Sequence, residues 1–206
     1  MNRTIKLLMI SDIFLVTGFG LTNPILAIFI KDNIVGGTIF MASLAATIYM
    51  VIKCLVQLPF SKYVDKHDHK VKWVIIGTFM IAVVPFVYMF ANDMKTVFLA
   101  QIIHGIGSGL VYPTWLGLWS THLDKKHESF EWSLYSTLVT LGSAGAAIIG
   151  GIISQSLGFK LAFFFVFLLS LVGAFILFYL KRKDTILPKA KFTHYQKKRR
   201  VLSLGQ

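Results

Sequence analysis

Acidic residues are scarce in this chain. Nine Asp and Glu stand against 21 Lys and Arg over 206 residues, and the four charged types together make up only 15% of it. So little charge cannot cover a chain that is 55% hydrophobic, so an integral membrane protein is the first expectation. Cysteine is nearly absent. Cys54 stands alone inside an apolar run, which excludes a disulfide framework and a cysteine-built metal cluster; neither metal nor cofactor is expected. A cleavable leader is missing by pattern. Arg3 and Lys6 precede an apolar run as in a signal peptide, but the run continues to Ile30, carries Asp12 and offers no clear small-residue cleavage site. A retained span is expected there. The formal net charge of +12 would point to nucleic acid in a soluble domain. Here it sits in short links and a tail, so no nucleic-acid partner is expected.

What the chain does have is long apolar runs. A membrane-crossing helix needs roughly 20 mainly apolar residues, and six stretches qualify: 5–30, 38–60, 73–91, 96–120, 132–157 and 160–180. The expected fold is therefore all-α and multi-pass, with residues 1–180 as a six-helix transmembrane domain in the lipid bilayer of the cell membrane. Residues 181–206 are basic, polar and broken by Pro188, which reads as a cytoplasmic tail or linker. The polar stretch 59–70, with Lys62, Asp65, Lys66 and Lys70, reads as a hinge between spans two and three. With the N-terminus inside, the cytoplasmic segments hold 17 Lys and Arg against 3 on the opposite face, and 8 against 3 without the tail. Basic residues resist translocation, so both termini are expected in the cytoplasm.

An internal repeat is visible. Gly18-Phe19-Gly20-Leu21-Thr22-Asn23-Pro24 and Gly107-Ser108-Gly109-Leu110-Val111-Tyr112-Pro113 share the pattern G-x-G-L-x-x-P at an offset of 89. The same offset lays span two on span five and span three on span six. A three-span repeat inserts its second copy upside down, so two inverted three-helix units are expected, with a substrate site between them near the midplane.

Polar residues inside the spans are the candidates for chemistry. On span four, Gln101, His104, Ser108, Tyr112, Trp115 and Trp119 recur every three or four residues and so share one helical face. That face could line a polar path. Alternatively Gln101 and His104 only hydrogen-bond neighbouring helices, and the two tryptophans, on the preferred reading, anchor at the interface. Asn23 on span one and Gln57 on span two join the same path. Asp12 and Lys53 are the only charges well inside the spans, at about 9 and 13.5 Å from the same side at 1.5 Å per residue. They are expected to meet as a switchable pair with Asp12 as the protonation site, unless both snorkel or form a static bridge. Gly105 and Gly109, and on span five Gly142, Gly150 and Gly151, are expected to let helices pack closely. The phenylalanines of span six read as lipid-facing or packed apolar surface.

These motifs together resemble the N-terminal six-helix half of a major facilitator superfamily transporter. The hinge resembles the family signature G-x-L-x-D-R-x-G-R-K, with Asp65 on its Asp, Lys66 on its Arg and Lys70 on its last Lys, but with Ser61, Asp68 and His69 as departures. Gln101-Ile-Ile-His104-Gly105-Ile-Gly107 is similar to the helix-four motif R-x-x-Q-G-x-G. Gly142, Gly150 and Gly151 match part of G-x-x-x-G-P-x-x-G-G, although Ala146 and Ala147 replace its Gly-Pro, which puts antiport in doubt. The resemblance implies rocker-switch transport of a small-molecule substrate and a conformational-switch role for Asp65, Lys66 and Lys70. It also implies twelve helices, so a second six-helix half is expected, as a homodimer or a separate chain, and the tail falls where the family's central loop would be. Two other functions have some support in the sequence. A non-transporting partner protein would suit the length. An intramembrane serine protease would use Ser108 in Ile106-Gly107-Ser108-Gly109, but span six holds no histidine to activate it. No enzymatic activity is expected.

Overall fold

The computed structural model describes residues 2–67, 69–124 and 126–184. Apart from a helical stretch ending at Asp184, the expected tail lies outside them, as do Asp68 and Lys125. The first span is broken: α1 (Arg3–Gly20) leads through a 3-10 turn (Asn23–Ile25) into α2 (Leu26–Asn33). Five further helices follow: α3 (Ile39–Lys66), α4 (Lys70–Met89), α5 (Met94–His122), α6 (Glu128–Leu157) and α7 (Phe159–Asp184). Six spans are thus long and apolar enough to cross a bilayer.

The connections are short because local chemistry stops the helices cleanly. Thr38 caps α3 by accepting from the Met41 amide at 3.1 Å, and Asp93 caps α5 by accepting from the Thr96 amide at 2.9 Å. These caps satisfy amides that have no partner within the helix. That bond to Thr96 also holds the Asp93 carboxyl below its usual value of 3.8. The Val35 amide donates to the Asn92 carbonyl at 3.0 Å, joining the α2–α3 and α4–α5 links at one face. At the same face Gly158, at φ +90°, alone connects α6 to α7.

The expected hinge is mostly helix. α3 continues through Pro59 to Lys66, so only residues 67–69 separate it from α4. Proline inside a membrane helix is tolerated when neighbours reshape the freed carbonyl's surroundings, and Pro85 and Pro113 lie inside α4 and α5 in the same way.

Lipid tails are as apolar as leucine, so close backbone approach drives association more than burial does. Glycines make that approach. Gly77 of α4 and Gly107 of α5 face each other, and a Cβ on either would lie 2.8 or 2.9 Å from the other's carbonyl oxygen. Gly105 and Gly109 receive Ile52 and Val56 of α3. Ser11 of α1 donates to the Gly173 carbonyl of α7 at 2.7 Å. The helices therefore run in a curved row, α3–α5–α4–α7–α1–α6.

That row reads the same from either end when the two repeats are exchanged. Gly18 rests on Leu169 and Ser170 of α7, while its counterpart Gly107 rests on α4. Gly20 rests on Ser143 of α6, while its counterpart Gly109 rests on α3. The repeat fails at one point: the shared string breaks the first span after Gly20 but leaves α5 continuous through Pro113. The two ends of the row are also its barest members. Only 11% of the apolar window of α3 is buried, and the same of α6, against 56% for α4.

Two apolar clusters fill the bundle at its two faces. One gathers Ile5, Leu8, Val74, Trp119 and Leu177. The other gathers Phe29, Ile30, Val97 and Ala100 with Tyr88 and Phe163. Trp115 and Trp119 are stacked at 4.7 Å and buried beside Trp132, which corrects their expected role as interface anchors. Their spacing shares the face of Ser108, and that face turns inward.

Candidate functional site

The row curls, and its ends stand on either side of a cavity of about 330 Å³. Asp12 and Phe19 of α1, Asn23 of the turn, Tyr49 and Lys53 of α3, His104, Ser108 and Tyr112 of α5 and Tyr135 of α6 all line it. Of the residues expected on a polar path, Asp12, Asn23, Lys53, His104, Ser108 and Tyr112 line this one space.

Asp12 and Lys53 line the cavity, yet among the described residues no ion pair joins them. The Asp12 carboxylate accepts from the Tyr135 hydroxyl of α6, and the Lys53 ammonium sits 4.8 Å above the Tyr112 ring. The extra helix at the end of α3 accounts for this. Lys53 lies 13 residues from Lys66 and Asp12 lies 9 from Arg3, about 20 Å against about 13.5 Å at 1.5 Å per residue. The two charges are offset by more than a turn. A hydrogen bond to a charged group contributes about 1.5–3 kcal/mol, close to the ~2.5–3.5 kcal/mol that a central membrane charge costs on insertion scales. A cation over an aromatic ring contributes roughly 0.5–2 kcal/mol, so Lys53 is the less compensated of the two.

The His104 ring is held between two others. It stacks on Phe19 at 4.9 Å with 22° between planes, and lies against Tyr49 at 4.4 Å, tilted by 36°. Phe19, Tyr49 and Tyr135 are cavity residues that sequence reasoning did not single out. Tyr135 follows Trp132 by three residues at the start of an otherwise small-residue helix, which was the one available signal.

Five expected site residues lie elsewhere. Gln101 shares the face of Ser108 but sits beyond the cavity, buried beside Tyr88 of α4, where the second apolar cluster closes the space. Gln57 opens instead on an adjoining recess of about 320 Å³ that it shares with Ser61, Asp65 and Tyr112. Asp65 and Lys66 occupy the last turn of α3, not a loop, and Lys70 begins α4. The Asp65 carboxylate is 4.0 Å from the Lys70 ammonium, and its side chain is 77% exposed, so the pair is worth about 0–1 kcal/mol. Lys70 also lies across Gly117 of α5.

The small residues of α6 divide by face. A Cβ on Gly142 would meet Thr17, and one on Gly150 would collide with the Leu21 carbonyl at the break in the first span. Gly151 has nothing within 4 Å, so its expected packing partner is not among the described residues.

Comparison with known proteins places this geometry. An uncharacterized MFS-type transporter of Methanocaldococcus jannaschii is 25% identical over 192 residues, covering 93% of this chain and 48% of its own length. The proton-coupled antiporter flippase LtaA of Staphylococcus saprophyticus is 24% identical over 113 residues, covering 53% of this chain and 28% of the relative. The riboflavin transporter RibZ of Clostridioides difficile is 22% identical over 156 residues, covering 76% and 33%. The chain spans about half or less of the length of these relatives. Among solved structures, the POT family transporter PepTSo superposes with a TM-score of 0.77 at 14% identity, over 89% of this chain and 38% of that one, which is a likeness of fold. The sequence model of the Major Facilitator Superfamily matches residues 8–204, and the chain belongs to that family of membrane transporters.

Proposed function

We propose that this chain carries a small solute across the cell membrane by alternating access, working with a second six-helix unit. The observation that carries the reading is the cavity within the bundle, whose wall holds a carboxylate, an ammonium and an imidazole among apolar helices. Intramembrane ionisable groups are costly and usually mark a substrate or ion path. In this reading Asp12 exchanges Tyr135 for a proton during the cycle, and Asp65 at the end of α3 stabilises one facing state against the second unit. Both termini are cytoplasmic, as the basic residues favour. The second unit covers the bare faces of α3 and α6, and it can be a homologous segment of a longer chain, a separate chain or a second copy.

The test is accessibility from both sides. In a Cys54→Ser background, Ser108→Cys should react with a membrane-impermeant maleimide in right-side-out and in inverted vesicles, because the cavity faces each side in turn. Reaction from one side only would leave a fixed pocket and remove the transport reading.

A further inference from the structure

The chemistry of the cavity wall narrows the solute. Resting on the transport reading above, we infer that the cavity takes a small aromatic organic acid as its anion, with the acidic group on Lys53 and the flat ring among Tyr112, His104, Phe19 and Tyr49.

Three observations carry this. First, the two charges are not equivalent. Asp12 already holds the Tyr135 hydroxyl, whereas the Lys53 ammonium rests only over the Tyr112 ring, at 4.8 Å, with no carboxylate paired to it among the described residues. A single uncompensated ammonium inside a membrane protein is satisfied by a single negative charge on the cargo. Second, the wall is aromatic where it is not charged. Phe19 stacks on His104 at 4.9 Å and Tyr49 lies tilted against the same imidazole at 4.4 Å between centroids, and Trp115 and Tyr135, which also line the cavity, lie 5.1 Å apart. Planar rings offer offset-stacked and edge contacts that an aliphatic chain cannot match. Third, the volume of about 330 Å³ is at the small end of ligand sites, which suits one ring system.

Other cargo chemistries fit less well. A cation would have to displace Tyr135 from Asp12 and then sit beside Lys53, which repels it. A neutral ring would use the stack and leave the ammonium as it is. An aromatic zwitterion would need both carboxylate and ammonium free, and only one is.

The experiment uses the whole protein in lipid nanodiscs, together with any six-helix partner that co-purifies. The probes are benzoate, 4-hydroxybenzoate and indole-3-acetate, each set against its neutral amide, with benzylamine as the cationic arm. Binding is read by the shift in melting temperature and by quenching of tryptophan fluorescence. The carboxylates are expected to bind about tenfold or more tightly than their amides. Lys53→Met should level the two series, and Lys53→Arg should restore much of the preference. Benzylamine binding best, amides equalling carboxylates, a preference that survives Lys53→Met, or no binding by any probe would each overturn the inference. The wild-type comparison decides the matter even if Lys53→Met does not fold. If the anion preference is missing while Ser108→Cys still reacts from both sides, only the cargo class falls. If that reaction is one-sided, transport falls whatever the probes do.

Discussion

Tyr135 reaches from α6 to Asp12 on α1, and its hydroxyl is the single atom that joins those two side chains. Tyr135→Phe keeps the ring among Trp115 and Trp119 while removing a bond worth about 1.5–3 kcal/mol. Uptake in vesicles should fall severalfold while the yield of folded protein stays near normal; unchanged uptake would show that the bond is idle in the cycle. Asp93 offers a case outside the membrane. Its carboxylate caps α5, so Asp93→Ala should lower stability and Asp93→Ser, which keeps a capping oxygen, should lower it much less. Because the carboxyl is held below 3.8 in the folded chain, its stabilisation is full above that value. It fades as pH drops through the lower folded value. Melting followed from pH 6 to about pH 2 should show this loss in wild type and not in Asp93→Ala. Much of the cavity was legible at this scale. Asp12, Lys53, His104 and Ser108 announce themselves by being polar inside apolar runs. Tyr49, Phe19 and Tyr135 do not, because a chain that is 14% aromatic gives no reason to prefer one ring over another. Gln101 was misplaced for a different reason: helical spacing fixes a direction, but where the cavity ends along the helix depends on Tyr88, which comes from another span.

Among the elements, the first span and α6 settle together at one crossing. The break after Gly20 exposes the Leu21 carbonyl, and α6 meets it with Gly150, where no side chain intervenes. Gly150→Ala should therefore cost roughly 1–3 kcal/mol through overpacking. Gly151→Ala, pointing into open space, should stay within about 0.5 kcal/mol of wild type. Unfolding in increasing dodecyl sulfate would compare the two, and equal effects would mean that α6 is rotated from this arrangement. Six apolar runs and the repeat were readable from hydropathy and glycine–proline spacing. The helical character of residues 59–66 was not, because their charges look like a loop while their backbone is still held by α3. Nor was the break at Leu21 against the continuity at Tyr112, since the two copies share the same string and differ only in what packs on it.

For the molecule as a whole, the proposed orientation rests on the excess of Lys and Arg. With Cys54 replaced by serine, Lys62→Cys should be labelled only from the cytoplasmic side and Lys95→Cys only from outside; the reverse labelling would invert every assignment of side. The row α3–α5–α4–α7–α1–α6 also bears on how the protein is made. The stretch from α3 to α5 can assemble as it leaves the ribosome, since the three helices are consecutive and α5 packs on both α3 and α4. α1 cannot do so. It packs chiefly on α7 and α6, the described helices furthest from it in sequence, so it must wait in the bilayer, with Asp12 unmet by Tyr135, until those helices have emerged. A nascent chain halted before Phe159 should accordingly hold α3 to α5 in a protease-resistant core while α1 remains open to cleavage at its N-terminal end. Chains arrested after Asp184 should protect both. Early protection of α1 would mean that it finds a temporary partner, and a charged first helix left waiting is the natural client for a membrane chaperone.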